Sequence, residues 1–140
     1  MASELHVVQA GIYPHRTEAM IAWTRAALEA AGFGYTFLRT LDGPEASRAL
    51  AGADAVIAVI GERWNAEQFA RLQRCRLFVS PGVGLDAIDL EAASQFGIAV
   101  VNQPESCTDE VADHTFALIL ACIRKVPWLS ARVQGGVFPV

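Results

Sequence analysis

Short apolar segments alternate with segments of helical periodicity along most of this chain, and this alternation limits the possible folds more than any other feature. Five segments have the length and composition of strands, at residues 5–10, 35–39, 55–60, 77–80 and 98–102. They are apolar nearly throughout, as strands are when both faces of a parallel sheet are buried. Strands that alternate with helices predict such a sheet, with helices on both of its faces.

Helices are predicted between these strands, at residues 17–31, 44–51, 66–73 and 90–96. Gly32 and Gly97 follow two of them, and glycine is common just past a helix end. Asn65 is expected to cap the third helix, and Asp86 and Asp89 are expected to cap the short helix at 90–96. The order of elements predicts an α/β fold of the flavodoxin-like type, with a doubly wound parallel sheet of five strands.

A longer helix is predicted from Thr108, which we expect to be its N-cap, with Asp109 and Glu110 placed favourably in the first turn. Between residues 111 and 126 this helix is apolar nearly all round. A helix that lies on one small domain needs only one apolar stripe. We therefore expect another domain or another subunit to cover its second face. The alternative is that the helix runs through the middle of its own domain.

Composition and charge exclude several classes of protein. Hydrophobic residues make up 53% and charged residues 19% of the chain, as in a globular protein. The net charge of −4 and the scattered basic residues argue against nucleic acid as a partner. The apolar run 115–123 is too short to span a membrane, the amino terminus lacks a secretory signal, and the three cysteines lack disulfide or metal spacing. We expect a cytoplasmic protein with no metal site and no membrane partner.

A glycine-rich turn, Gly82-Val83-Gly84, follows the fourth predicted strand. Glycine allows a sharp turn and the close approach of a ligand, and ligands bind beyond the carboxyl ends of parallel strands. Backbone N–H groups in such a turn can bind a carboxylate or phosphate, although an ordinary tight turn has the same sequence. It is not a dinucleotide-binding motif, because Ala87 stands where the third glycine is needed and the next strand ends at Asn102 rather than at an acidic residue.

The residues around this turn carry a family resemblance. Residues 81–104 read PGVGLDAIDLEAASQFGIAVVNQP, and the segment CTDEVADH and the apolar helix follow, up to Pro127. This stretch resembles the D-isomer-specific 2-hydroxyacid dehydrogenase family. The CTDEVADH segment is most similar to the bacterial branch that is related to the C-terminal-binding-protein corepressors and the phosphoglycerate dehydrogenases. The order of the upstream strands and helices fits the substrate domain of that family.

The resemblance implies roles for five residues. Val83 and Gly84 would bind the substrate carboxylate through their backbone N–H groups, and Gly61 would border the same pocket. Val83, Asn102 and Thr108 would face the cofactor, which is NAD or NADP. A separate nucleotide-binding domain would bind most of that cofactor.

The resemblance also implies a domain organisation. Residues 1–107 would form the substrate-binding flavodoxin-like domain, and residues 108–140 would form an interdomain helix and the start of a connection to a nucleotide-binding domain. The helix at 108–126 would contribute to a homodimer. In the family, the catalytic arginine, glutamate and histidine follow a Gly-x-Gly-x-x-Gly motif, which these 140 residues lack. We therefore expect a truncated chain with no catalytic residue of its own, which is inactive alone.

Three functions remain open at this stage. The first is an NAD(P)-dependent oxidoreductase that reduces a small 2-oxo acid to a D-2-hydroxy acid. The second is an NAD(H)-sensing interaction protein of the corepressor type, which would use the same fold. The third is a free-standing receiver domain or flavodoxin. A receiver needs acidic residues where Gln9 and Ile60 stand, and a flavodoxin needs a hydroxyl-rich phosphate loop at residues 12–17, which this sequence does not provide.

Overall fold

The secondary structure alternates between strands and helices in the order that the sequence predicts. The computed structural model describes residues 5–11, 17–58 and 62–138. The elements in these ranges are β1 (His6–Ala10), α1 (Thr17–Ala30), β2 (Gly34–Leu38), α2 (Gly43–Gly52), β3 (Ala55–Ala58), α3 (Ala66–Ala70), β4 (Leu77–Val79), α4 (Leu90–Gln95), β5 (Ala99–Val101), α5 (Thr108–Ile123) and α6 (Val126–Gln134). The chain divides into two compact units, of which one ends at Pro104 and the other begins at Glu105.

The first unit contains a five-stranded sheet in the order β2-β1-β3-β4-β5. All four strand pairs are parallel, and Val8 of β1, for example, lies between Thr36 of β2 and Val56 of β3. This order is the flavodoxin-like one, which confirms the predicted doubly wound α/β fold. Right-handed crossovers place α1 on one face of the sheet and α2, α3 and α4 on the other.

The hydrophobic core fills the space between the sheet and the three helices α2, α3 and α4. Its fully buried members include Val8, Leu50, Val56, Phe69 and Phe78, each 0% exposed. Three aromatic rings form its centre: the ring of Trp64 lies 4.8 Å from that of Phe78 and 6.0 Å from that of Phe69, centroid to centroid. Alternate residues of β3 and β4 point into this core, because successive side chains of a strand face opposite sides.

The opposite face of the sheet is less completely covered. Leu77 and Val101 are 39% and 46% exposed, and Trp23 of α1 is 75% exposed. Since α1 packs at the β2 end of the sheet, it leaves the β4 and β5 end of this face open within the first unit. The sequence predicts strands that are buried on both faces of the sheet. At β4 and β5 this is correct only for the face that packs against α2, α3 and α4.

Two of the three predicted helix caps in this unit are confirmed. The Asn65 side chain accepts a hydrogen bond from the N–H of Gln68 at 3.1 Å, at the start of α3. The Asp89 side chain accepts one from the N–H of Ala92 at 2.9 Å, at the start of α4. Asp86 does not cap α4, because it lies too early in the preceding loop, so the prediction for this residue is wrong.

The second unit contains α5 and α6, and the predicted N-cap of α5 is wrong. Cys107 occupies the cap position with a left-handed φ of 64° and makes no side-chain capping hydrogen bond. Thr108 is the first helical residue, and its hydroxyl donates to the carbonyl of Glu105 at 3.4 Å. Threonine is a common N-cap residue, but the backbone turn at residues 105–107 determines where this helix begins.

The long helix α5 has no buried residue, so it is not a core helix of its unit. It ends at Ile123, and Lys125 adopts a left-handed φ of 53° before α6 begins at Val126. Pro127 explains the break, since proline cannot continue a helix but is well suited to the first turn of a new one. The helix α6 was not predicted. No helix in the described ranges is long and apolar enough to cross a membrane.

Asp54 connects the amino-terminal ends of β1 and β3. Its carboxylate accepts a hydrogen bond from the N–H of His6 at 2.9 Å and one from the guanidinium of Arg74 at 2.8 Å. The hydrogen bond from the His6 backbone is the largest cause that lowers the pKa of Asp54 below its ordinary value, and Arg74 contributes in the same direction. A carboxylate with a lowered pKa stabilises the fold above its unfolded-state pKa and loses that effect as the pH falls through its folded-state pKa.

We predict that Asp54→Asn lowers the free energy of unfolding by about 1 kcal/mol at neutral pH, because a charged hydrogen-bond acceptor is lost. The difference from the wild-type chain should shrink as the pH falls below about 4, because the carboxylate of the unfolded chain becomes protonated there and that of the folded chain follows at lower pH. Urea denaturation at several pH values measures this. Asp42→Asn, which alters an exposed carboxylate outside any ion pair in the described structure, is the control. A difference that persists unchanged at pH 3 would contradict the prediction.

Candidate functional site

The carboxyl ends of β4 and β5 bring the Gly82-Val83-Gly84 turn and Asn102 to one edge of the sheet. These strands are paired in register, with Val79 opposite Val101. The pairing continues one step further, because the N–H of Ser80 donates to the carbonyl of Val101 at 2.8 Å. The segments that leave the two strands, beginning at Pro81 and Asn102, therefore start side by side.

Two hydrogen bonds connect the Gly82-Val83-Gly84 turn to the segment after β5. The side-chain amide of Asn102 donates to the carbonyl of Val83 at 2.8 Å. The backbone N–H of Gln103 donates to the carbonyl of Gly82 at 3.1 Å. The turn is thus held through its carbonyl groups, by residues about twenty positions away in sequence.

The N–H groups of this turn remain available to a ligand. Within the described part of the chain, the N–H groups of Val83 and Gly84 donate to no other residue. Both residues are exposed, and Val83 is 51% exposed. Two exposed and adjacent backbone donors are suited to bind a carboxylate or another small anion.

A second connection holds the far end of the loop. The N–H of Trp64 donates to the carbonyl of Ala87 at 2.8 Å, and the N–H of Asp89 donates to the carbonyl of Trp64 at 2.9 Å. Because the Trp64 side chain is only 1% exposed, this connection joins the loop to the aromatic centre of the core. The sequence contains no signal for it, since backbone bonds between distant segments do not depend on residue type.

The segment that contains the turn, residues 81–103, carries negative charge. No lysine or arginine occurs between residues 81 and 103. Asp86 lies close to the turn, because a Cβ atom placed on Gly84 would meet its Oδ2 at 3.3 Å. Within residues 81–103, an anion at this turn would therefore be bound by N–H dipoles alone, and Asp86 would oppose it. A cation from elsewhere would be needed for tight binding.

A cavity of about 320 Å³ lies beside the turn, on the α1 side of the sheet. Its lining is mostly apolar and consists of Gln9, Met20, Trp23, Thr24, Ile57, Val79, Ser80, Pro81, Asn102 and Gln103. Asn102 belongs to this lining, whereas Val83 and Gly84 do not. The two N–H donors are therefore on an open turn next to the cavity rather than inside it.

The structure thus brings Val83, Gly84 and Asn102 together. Gly61 lies outside the described residues. Thr108 belongs to the second unit, where its hydroxyl bonds to a nearby backbone carbonyl. Among the residues that the structure describes, no group of three or more His, Cys, Asp or Glu side chains could hold a metal ion.

The buried cysteine of the first unit is not a nucleophile at neutral pH. Cys75 is 3% exposed, and burial raises the pKa of its thiol. Its Sγ atom contacts the carbonyl of Leu77 at 3.2 Å, at the end of the sheet opposite to the turn.

Comparison with known families gives one match that spans most of the chain. The family model described as "D-isomer specific 2-hydroxyacid dehydrogenase, catalytic domain" matches residues 17–135. A D-3-phosphoglycerate dehydrogenase from Mycobacterium tuberculosis is 35% identical over 100 residues, which are 69% of this chain and 19% of that protein. A glyoxylate reductase from Pyrococcus furiosus is 42% identical over 83 residues, which are 59% of this chain and 25% of that protein.

Solved structures share the fold. A D-lactate dehydrogenase from Aquifex aeolicus, solved with NAD and lactic acid, superposes with a TM-score of 0.81 at 24% identity and covers 95% of this chain. The TT0316 protein from Thermus thermophilus superposes with a TM-score of 0.71 at 28% identity and covers 97%. This chain spans 38% and 42% of those two structures.

We predict that packing of the Trp64 indole ring stabilises the domain, and that the indole Nε1–H group contributes no hydrogen bond to it. The indole Nε1 atom is buried and has no hydrogen-bond partner among the described residues. Trp64→Phe should therefore lower the free energy of unfolding by at most about 2 kcal/mol, whereas Trp64→Ala should lower it by about 3–5 kcal/mol through the cavity it leaves. Urea denaturation measures both changes. Equal losses in the two variants would contradict the prediction.

Proposed function

Because this chain belongs to the D-isomer-specific 2-hydroxyacid dehydrogenase family, we propose that it is the substrate-binding part of an NAD(P)-dependent oxidoreductase. The enzyme would reduce a small 2-oxo acid to the corresponding D-2-hydroxy acid. In this proposal residues 1–107 are the substrate-binding domain, and residues 108–140 are an interdomain helix and a connection to a nucleotide-binding domain.

One observation supports this proposal most strongly. The N–H groups of Val83 and Gly84 are exposed, adjacent and unpaired within the described residues, at the edge of the sheet where α/β proteins bind ligands. A substrate carboxylate could accept a hydrogen bond from each of them. Gly61 follows β3, the neighbour of β4 in the sheet, and is proposed to border the same substrate.

The cofactor of the proposed enzyme would be NAD or NADP, which supplies the hydride when it is bound. The side chain of Val83 is exposed and apolar, so it is suited to pack against the nicotinamide ring. Asn102 and Thr108 are proposed to lie on the cofactor side of the cleft. Because this sequence lacks a dinucleotide-binding motif, the rest of the nucleotide must be bound by another part of the protein.

The chain accounts for only part of the proposed reaction. It spans 19% and 25% of the two curated relatives described above. Reduction of a 2-oxo acid needs a cation to polarise the carbonyl and a general acid to protonate the product oxygen. Residues 81–103 contain no lysine, arginine or histidine, and the carboxylate of Asp86 lies close to Gly84. We therefore propose that the 140 residues alone are inactive.

The helix α5 is proposed to mediate association of two subunits. Its exposed side chains include Phe116, Leu120 and Ile123, which are 66%, 58% and 68% exposed. These three residues share one face at spacings of four and three. Val111 and Leu118 are 62% and 55% exposed on another part of the helix, so apolar surface surrounds it.

We predict that the 140-residue chain binds oxamate, a stable analogue of a 2-oxo acid, with millimolar affinity. The amide resonances of Val83 and Gly84 should shift most in an NMR titration, because their N–H groups would donate to the carboxylate. Val83→Pro removes one donor and should weaken binding about tenfold, whereas Val83→Ala keeps the N–H and should have little effect.

Oxamide, which has no carboxylate, is the control ligand. Equal affinity for oxamide and oxamate would contradict a carboxylate site at the turn. NADH oxidation by the longer protein with a panel of 2-oxo acids then tests the complete proposal. Binding of NADH without turnover of any 2-oxo acid would favour an NAD(H)-sensing protein of the corepressor type instead.

We predict that the chain forms dimers through α5. The double variant Phe116→Glu/Leu120→Glu should sediment as a monomer at concentrations where the wild-type chain is dimeric, because two buried charges oppose association. His114→Glu is the control. It adds a negative charge at an exposed polar residue of the same helix without removing apolar surface. A wild-type chain that stays monomeric at every concentration would rule out this interface.

A further inference from the structure

We infer that Asn102 is a positioning residue that orients the N–H group of Gly84 toward the substrate carboxylate. The effect on carboxylate binding rests on the proposed function, whereas the hydrogen bond from Asn102 to the turn is a feature of the structure. The resemblance assigns Asn102 to the cofactor side of the cleft. Independently of that assignment, its side-chain amide donates to the carbonyl of Val83, so Asn102 also acts through the turn.

The planar peptide bond links the Val83 carbonyl to the Gly84 N–H group. The carbonyl of Val83 and the N–H of Gly84 belong to the same peptide unit, which is planar and trans, so the two groups point in opposite directions. A hydrogen bond that fixes the carbonyl therefore also fixes the direction of the N–H. At 2.8 Å, the bond from Asn102 Nδ2 is short enough to do this.

The neighbouring peptide unit is fixed in a parallel way. The carbonyl of Gly82 and the N–H of Val83 form one unit, and the N–H of Gln103 donates to that carbonyl at 3.1 Å. Both donors proposed for the carboxylate are therefore oriented from behind, by consecutive residues after β5. The Val83 donor depends on a backbone bond, whereas the Gly84 donor depends on the side chain of Asn102.

This difference makes the role of Asn102 separable by mutation. Glycine-rich turns have many accessible conformations, so the orientation of a peptide unit in them must be imposed. A bond to the carbonyl also polarises the peptide group, which strengthens its N–H as a donor. Loss of the Asn102 amide should release the Gly84 unit and leave the Val83 unit in place, because the bond from Gln103 remains.

The test compares Asn102→Ala and Asn102→Asp with the wild-type 140-residue chain by NMR. Asn102→Asp keeps the shape of the side chain but replaces the donor by an acceptor. Residual dipolar couplings report the direction of each N–H vector in the free protein. We expect the coupling of Gly84 to change in both variants and that of Val83 to stay the same. Oxamate should bind about 3- to 10-fold more weakly to both.

Gln95→Ala is the matched control, because it removes an exposed amide that makes one long hydrogen bond to Glu91. An unchanged Gly84 coupling in either folded variant would overturn the inference. So would unfolding of both Asn102 variants while Gln95→Ala stays folded, since the bond would then stabilise the domain rather than the turn. If the wild-type chain does not bind oxamate, the proposed carboxylate site fails, while the Gly84 coupling still decides the role of Asn102.

Discussion

The parallel pairing of β4 with β5 is the interaction on which the candidate site depends. It sets Val79 opposite Val101 and continues through the bond between Ser80 and Val101. Because the strands are parallel, the chain leaves both of them in the same direction, and the next residues of each segment come within hydrogen-bonding distance. The contact between Asn102 and the glycine turn follows from this arrangement. A shift of one residue in the register would remove that contact and reverse the faces of β5.

The core holds the other end of the same loop. Trp64 packs against Phe69 and Phe78, and its backbone bonds to Ala87 and Asp89. The loop between Gly82 and Asp89 is thus fixed at one end by the neighbouring strand segment and at the other by the aromatic cluster. The turn can therefore present the N–H groups of Val83 and Gly84 in defined directions, although it contains two glycines and is exposed. Preorganised donors of this kind bind an anion without the entropic cost of ordering a loop.

The charges around the turn suit weak binding of an anion but provide no cation for the reduction of a 2-oxo acid. The turn offers N–H dipoles, no cationic side chain lies between residues 81 and 103, and Asp86 adds a negative charge. A carboxylate would be oriented there but held weakly. This agrees with a proposed enzyme in which the cation and the general acid come from outside these residues. Apolar surface is also left exposed by the described residues in two places. One is the helix α5, and the other is the β4 and β5 end of the sheet face that bears α1.

Local patterns in the sequence are sufficient to predict the fold class, the order of the strands and helices as far as α5, the family and the glycine turn. These follow from local patterns: apolar periodicity, glycines at helix ends, and caps such as Asn65 and Asp89. The tertiary structure decided which groups meet. The bond from Asn102 to Val83 and the backbone bonds of Trp64 and Gln103 join segments that are distant in sequence, and backbone groups carry no signature of residue type. The motif predicts a cofactor-side position for Asn102, and only the tertiary structure shows that its side chain also bonds to the turn.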